Sequence, residues 1–375
     1  YLYTMHTTFR SPRFSINTNQ DFARVLNERV SQYFSQKNKS KHANASMVFK
    51  TLFMLSLYLF PLVMLLWVSN PWISILLWFI AGIGMAGVGL SVMHDANHGA
   101  YSSNRFVNKM VGGVLNIIGG NPTNWKIQHN VLHHTFTNVD GFDEDIAPPI
   151  PILRFSPHSA WKPVHKYQHI YAWFFYPLMT IMWYLTKDYK QAIRYHKQGL
   201  TASQGLTLSQ HLFNIIFWKV VYTLLFIVIP IWLAPVSWYV IVIGFILMQC
   251  VAGLLLSLIF QPAHVIPDTQ FQRPDDSGDL QADAKVHQLF TTANFGVKSR
   301  WFTWLVGGLN FQVEHHLFPT ICHVHYRAIS EIVKKTAQEY NLPYYANRTF
   351  FSAIKEHGRM LKMLGQKDCP EFVHL

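Results

Sequence analysis

The stretch WISILLWFIAGIGMAGVGLSVMHDANH, residues 72–98, decides how the rest of the chain is read. Its leading part, 72–92, carries no charge and, as a helix, is long enough to cross a hydrocarbon core, which takes about 20 residues. Just beyond it stand His94 and His98, and one more helical turn puts both imidazoles on the same face. An apolar segment thus delivers a pair of metal-binding side chains at its polar end. Within it, Gly82-Ile83-Gly84-Met85-Ala86-Gly87 satisfies G-x-G-x-x-G. A dinucleotide fingerprint has to follow a strand and open a helix beside water, so these mid-membrane glycines are expected to serve close helix packing instead.

Three further segments share this character: 47–68, 212–233 and 237–260. Lys50 and Lys219 are the only charges in the four. The joints at 69–71 and 234–236 are short, so each pair is expected to form a helical hairpin. Lys and Arg number 7 in residues 1–46, 10 in 93–211 and 12 in 261–375, and the joints have none. By the positive-inside rule both termini and the long central loop are cytoplasmic. The expected fold class is therefore all-α: a polytopic membrane protein with four transmembrane helices in two hairpins and a helical cytoplasmic cap made of 93–211 and 261–375. An N-terminal segment, 1–46, precedes a single domain over 47–375.

Residues 170–186 contain Pro177 and the aromatics Tyr171, Trp173, Tyr176, Trp183 and Tyr184, which suits an interfacial helix. A fifth crossing there would put the histidine clusters on opposite membrane faces. Short interfacial helices are expected at 107–120 and 301–309, an amphipathic helix at 328–340, and a polar loop at 262–284.

Composition agrees. Of 375 residues, 50% are hydrophobic and 13% charged, about half the charged share of a soluble domain. Cys250, Cys322 and Cys369 lie far apart, which argues against a disulfide framework, iron–sulfur ligation and zinc ribbons. The net charge of +12 fits membrane topology and a basic cytoplasmic face, and no nucleic-acid partner is expected. Histidine is the anomaly, at 20 residues, and neutral imidazole is the commonest protein metal ligand.

A second cluster, His129-Asn130-Val131-Leu132-His133-His134, again spaces two imidazoles four apart and adds a neighbour about 100° around an α-helix. A third, Gln312-Val313-Glu314-His315-His316, repeats the adjacent pair behind a glutamine. The span count brings all three to one membrane face, as a shared metal site requires. His264, four residues past the fourth segment, mirrors His94. Cys322-His323-Val324-His325 lacks a second ligand pair and reads as structural. His6, His42, His158, His165, His169, His196, His211, His287, His357 and His374 are expected to be ordinary surface or capping residues. The sole Glu-x-x-His, Glu371-Phe372-Val373-His374, is a poor match to a carboxylate di-iron bundle.

With these three clusters in this order around two apolar pairs, the third continuing as Leu317-Phe318-Pro319, the chain resembles the membrane fatty acid desaturases over roughly 47–326. The glutamine-led third cluster is similar to that of front-end desaturases, which insert a double bond between an existing one and the carboxyl end. The resemblance implies an integral membrane enzyme of the bacterial inner membrane or endoplasmic reticulum. It also implies two iron ions that use O2 and two electrons to remove two hydrogens from a fatty acyl chain, as acyl-CoA or acyl-lipid. Carried over residue by residue, the implied ligands are His94, His98, His129, His133, His134, His264, His315 and His316, with Gln312 left open. Many front-end members carry a fused cytochrome b5 domain with a His-Pro-Gly-Gly motif. No His here precedes Pro, and 1–46 is too short for such a domain, so a separate electron donor such as cytochrome b5 or ferredoxin is expected.

The chemistry suits the residues. An unactivated methylene has no acidic proton and no leaving group, so side-chain acid–base or nucleophilic attack fails where a redox metal and O2 succeed. Imidazole binds iron well, and Asp95, Asp140, Asp143, Asp145 and Glu314 are candidates to orient the rings. Rival readings are a hydroxylase or other oxygenase built on similar clusters, a metal-dependent lipid hydrolase, and a metal transporter. A transporter's ligands belong near the bilayer midplane, where the four segments hold no His, Asp or Glu.

Overall fold

The computed structural model describes residues 9–14, 20–147 and 151–369; His6 and the 371–374 motif with His374 lie outside them. Among the described residues four helices are long and apolar enough to cross a membrane: Ala45–Met64, Pro71–Asn97, Leu208–Leu233 and Trp238–His264. Their starts are set locally. The side chain of Asn44 accepts from the Met47 amide and that of Asn70 from the Trp72 and Ile73 amides, with Pro71 in the first turn. Thr207 and Gln210 cap the third span reciprocally.

The ends carry the consequences. The first span stops at Met64, short of the expected 68, because the amides of Leu66 and Trp67 bond three residues back and tighten the chain into a turn. The second runs past 92 to Asn97 through a π-helical turn, Val88–Val92. The fourth runs past 260 through Pro262 to His264, so the expected loop at 262–284 begins as helix. Both extensions carry histidines off the apolar body of a span.

The glycines of 82–87 mark helix contacts. A Cβ on Gly82 would lie 2.8 Å from the Met248 carbonyl oxygen of the fourth span, one on Gly84 would strike the backbone of Leu57 and Tyr58 in the first, and Gly87 abuts the Met54 sulfur. The second span is thus the centre of the bundle, wedged between the first and fourth. The third span is the most peripheral, with Phe213, Ile216, Phe217, Val220 and Trp232 turned outward.

Both lysines within the spans are buried and partnered. Lys219 Nζ lies 2.7 Å from Asp188 and donates to the Gly119 and Trp183 carbonyls. Lys50 Nζ lies 2.7 Å from His323 Nε2. Residues 170–186 do not lie free. Thr180 donates to the Gln249 carbonyl, and the Tyr176 and Pro177 carbonyls press on Gly253, so this stretch runs along the fourth span.

Outside the spans the helices Gln20–Gln36 and Tyr326–Glu339 share a core of Phe22, Leu26, Val30, Ile329 and Val333, which also takes in Val313 and Leu317 of the helix Gln312–Leu317. The all-α expectation needs one small amendment. Two parallel strand pairs, Arg13–Phe14 with Asp279–Leu280 and Ala293–Phe295 with Tyr345–Asn347, tie distant segments together.

Gly84→Leu is expected to force the first and second spans apart, at a cost of about 1–3 kcal/mol or more. Gly113→Ala meets nothing within 4 Å and serves as the control. Thermal unfolding of the detergent-solubilised protein should fall for the first variant alone; equal melting would refute the close contact.

Candidate metal centre

Two devices of backbone geometry bring the histidines together. The helix Met93–Asn97 that ends the second span holds His94, with His98 as its C-cap. Residues Lys126–His133 form a π-helix in which the His134 amide bonds to the His129 carbonyl at 2.9 Å. In an α-helix His134, five residues on, would point about 140° away from His129; the wider π turn brings both His133 and His134 under it. Pro122 and Asn121 start this segment, Asn121 accepting from the Thr123 and Asn124 amides. His264 arrives on the fourth span, and His315 and His316 on Gln312–Leu317.

The ring nitrogens fall into two groups. His94, His98, His129 and His315 form one; His133, His264 and His316 form the other. His134 stands between them, its Nε2 2.8 Å from His315 Nε2 and 3.3 Å from His129 Nε2, while its ring stacks on His316 at 4.2 Å. His94 Nε2 lies 3.1 Å from His129 Nε2. Imidazoles bound at right angles around a divalent metal, with bonds of about 2.1 Å, have nitrogens about 3 Å apart, which is the spacing seen here.

Several buried polar atoms have no hydrogen-bond partner among the described residues: Nε2 of His98, His133, His264 and His316, and the amide nitrogen of Gln312. Such orphans are costly unless something absent from the protein satisfies them. The donor set therefore fits metal ions in both groups, in each of which the ligand atoms lie within 4.8 Å of one another. Trp125, 4.4 Å from the His129 ring, and Phe260 wall the first group with apolar surface.

Outer partners hold several rings from behind. Asp143 lies 3.1 Å from His133 Nδ1, Tyr326 OH 3.1 Å from His315 Nδ1, Gln288 Oε1 2.8 Å from His316 Nδ1, and the Thr291 carbonyl 3.2 Å from His264 Nδ1. Each leaves the opposite nitrogen, Nε2, facing the cluster, the arrangement that orients metal-bound histidine elsewhere. Asp145, 3.4 Å from His133, is itself held by Gln128.

Burial, aided by neighbouring imidazoles, holds His98, His129, His134, His315 and His316 well below the usual histidine range. They are neutral lone-pair donors at physiological pH. Burial also lowers His133, but Asp143 and Asp145 outweigh it and leave its pKa raised to about 9. A cation at Nε2 would displace one proton there and leave the other on Nδ1 against Asp143.

The structure places all eight expected histidines and Gln312 in this buried pocket, Gln312 within reach of His264. It divides the expected orienting carboxylates. Asp143 and Asp145 face His133, whereas Asp140 pairs with Arg273 and Glu314 accepts from Asn294 and Tyr344, turned from the cluster. Burial raises Glu314 to about 7. Asp95 accepts from the backbone and Nδ1 of His323, whose other nitrogen meets Lys50. Asp95, Cys322 and His323 are close enough together to hold an ion, but both ring nitrogens of His323 are already engaged, by Asp95 and Lys50.

His211, His287 and His357 are buried, not surface residues, and His165, also buried, caps a helix start by accepting from the Lys162 amide. Each finds a partner inside, as His287 does at the Thr137 carbonyl and His357 at Tyr176 and the Val265 carbonyl. Tyr326, Gln288, Thr137 and Thr291 escaped the sequence reading, since nothing in their spacing marks them.

The model of the fatty acid desaturase family matches residues 70–348. An acyl-lipid (8-3)-desaturase of Physcomitrium patens is 33% identical over 350 residues, covering 92% of this chain and 72% of the relative. An sn-1 linoleoyl-lipid 6-desaturase of Synechocystis sp. is 32% identical over 369 residues, 94% of this chain and 98% of the relative. Another of that description, from Arthrospira platensis, is 32% identical over 358 residues, 92% of each.

Asp143→Asn keeps the shape behind His133 and removes its charge, and is expected to weaken metal retention about 10- to 100-fold. Asp140→Asn should not. His133→Ala and His315→Ala should lose metal outright, and His158→Ala should keep it. Metal analysis of purified, dialysed protein reads each; full metal in Asp143→Asn would show that His133 does not depend on Asp143.

Proposed function

The chain belongs to the fatty acid desaturase family and is an oxidoreductase, and from that premise we propose a di-iron, O2-dependent desaturation of a membrane lipid's acyl chain on the carboxyl side of an existing double bond. The observation that carries this reading is the pairing of two groups of converging, buried imidazoles with the ends of apolar spans. His94, His98, His129 and His315 hold one iron in this reading, His133, His264 and His316 the other, with His134 between them and Gln312 beside His264, directly or through water.

Bound iron supplies the redox chemistry: with O2, two electrons and two protons, an adjacent pair of methylenes becomes a double bond and two waters. The chain's own residues do the rest. Asp143, Gln288, Tyr326 and the Thr291 carbonyl fix ring direction. Trp125 and Phe260 exclude water from the ring cluster. The spans keep the site at the level where an acyl chain leaves the bilayer and its polar head stays outside.

The second and fourth spans both end in the cluster, so their other ends, and the short connections 65–70 and 234–237, belong to the opposite face. With the Lys and Arg distribution this supports two hairpins and a cytoplasmic cap, 93–211 and 261–375, with both termini cytoplasmic and 1–46 preceding a domain over 47–375. The electrons come from a separate donor such as cytochrome b5 or ferredoxin, met on the basic cytoplasmic face, in a bacterial inner membrane or the endoplasmic reticulum. The acyl-lipid relatives favour a lipid-linked substrate over acyl-CoA.

Lipid mass spectrometry of cells with and without the protein should reveal O2-dependent polyunsaturated products, each new bond on the carboxyl side of an old one. Products unsaturated only toward the methyl end would overturn the front-end assignment, and hydroxylated products would favour an oxygenase. Single cysteines at Ser69 and Pro235, in a background lacking native cysteines, should be labelled only from the side opposite the cap. Labelling from the cytoplasm would sink the topology.

A further inference from the structure

Val164, Tyr167, Ile170 and Phe174 recur at helical spacing through Pro163–Tyr167 and Gln168–Phe175, and all four are exposed. Beside this apolar stripe, where residues 161–170 meet the end of Phe350–Leu364, opens a cavity of about 490 Å³, within the range of about 300–1,000 Å³ typical of small-ligand sites. Lys166, Lys362 and Lys367 line it together with Trp161, Tyr167 and Ile170, and no carboxylate does so among the described residues. Tyr167 and Ile170 therefore belong to both features.

The cavity is built and not a gap between loose loops. Trp161 Nε1 donates to the Gly365 carbonyl at 2.8 Å, and Arg154 donates to the carbonyls of Leu364 and Gln366. Gly365 comes so close to the His165 carbonyl that a Cβ there would lie 2.6 Å from it. His169, on the same wall, has a buried Nδ1 without a partner among the described residues. Three lysines with no carboxylate beside them and an adjoining apolar face suit a ligand that is anionic at one end and hydrocarbon at the other.

We propose that this cavity binds the phosphate of a membrane phospholipid, whose acyl chains lie along Val164, Tyr167, Ile170 and Phe174. The site is separate from the histidine cluster, with an apolar layer of Ile146, Val265, Leu361 and Leu364 between. Binding there goes beyond the desaturation reading and does not depend on it. Free phosphate alone would leave the apolar stripe without a purpose.

Native mass spectrometry of the full chain tests this, with dioleoylphosphatidylglycerol as probe and dioleoylglycerol as its phosphate-free counterpart. The protein should retain the first and not the second. A triple variant, Lys166→Gln with Lys362→Gln and Lys367→Gln, should lower retention by about tenfold or more. The same loss of charge at the exposed Lys298, Lys334 and Lys335 should leave it unchanged, and millimolar inorganic phosphate should not displace the lipid. Equal losses in the two triple variants, equal retention of dioleoylglycerol, or full displacement by inorganic phosphate would each overturn the proposal. None of these readouts depends on product formation, so a failure of the desaturase reading is seen separately.

Discussion

Eight imidazoles in one buried pocket are tolerable only if their charge is kept low, and this constraint shapes the surroundings. A protonated ring buried among others suffers both desolvation and repulsion. The rings answer by staying neutral, which turns their lone pairs inward at distances of about 3 Å. Unprotonated nitrogens that face one another repel, and a shared cation removes that repulsion while satisfying the orphaned atoms. The exception, His133, has two carboxylates behind it.

Holding such a pocket at the edge of a membrane requires that helix ends be placed accurately. Glycines at 82, 84 and 87 let the second span press against the first and fourth, so the residues that follow, Met93–His98, start from a rigid base. The π turns at Val88–Val92 and Lys126–His133 then adjust rotation, changing which side chains face inward without moving the helix axis. Outside the spans, Gln20–Gln36 and Tyr326–Glu339 grip Val313 and Leu317, the apolar neighbours of His315 and His316.

The two lysines inside the spans act as ties. Lys219 with Asp188 joins the third span to Trp183 and Asn124, both of which donate to Asp188, Asn124 lying just ahead of the second cluster. Lys50 reaches His323, and through it Asp95, so the first span is linked to the end of the second. A buried charge that lost its partner would be strongly destabilising, and each pair therefore permits only one arrangement of the elements it joins.

The sequence by itself determined the apolar spans and the three histidine clusters, because uninterrupted hydropathy, residue type and spacing are local quantities. It also marked Gly82, Gly84 and Gly87 as packing residues from their depth in a span. It did not determine that the second span continues through a π turn, that His134 shares a face with His129, or that Glu314 and Asp140 turn away while Asp143 serves His133. Nor did it show that His287 and His357 are interior. These depend on which groups become neighbours after residues tens to hundreds of positions apart are packed together, as with His133 and His264 or His315 and Tyr326. A backbone turn or a carboxylate takes its direction from the partner it finds, and only the tertiary structure supplies that partner.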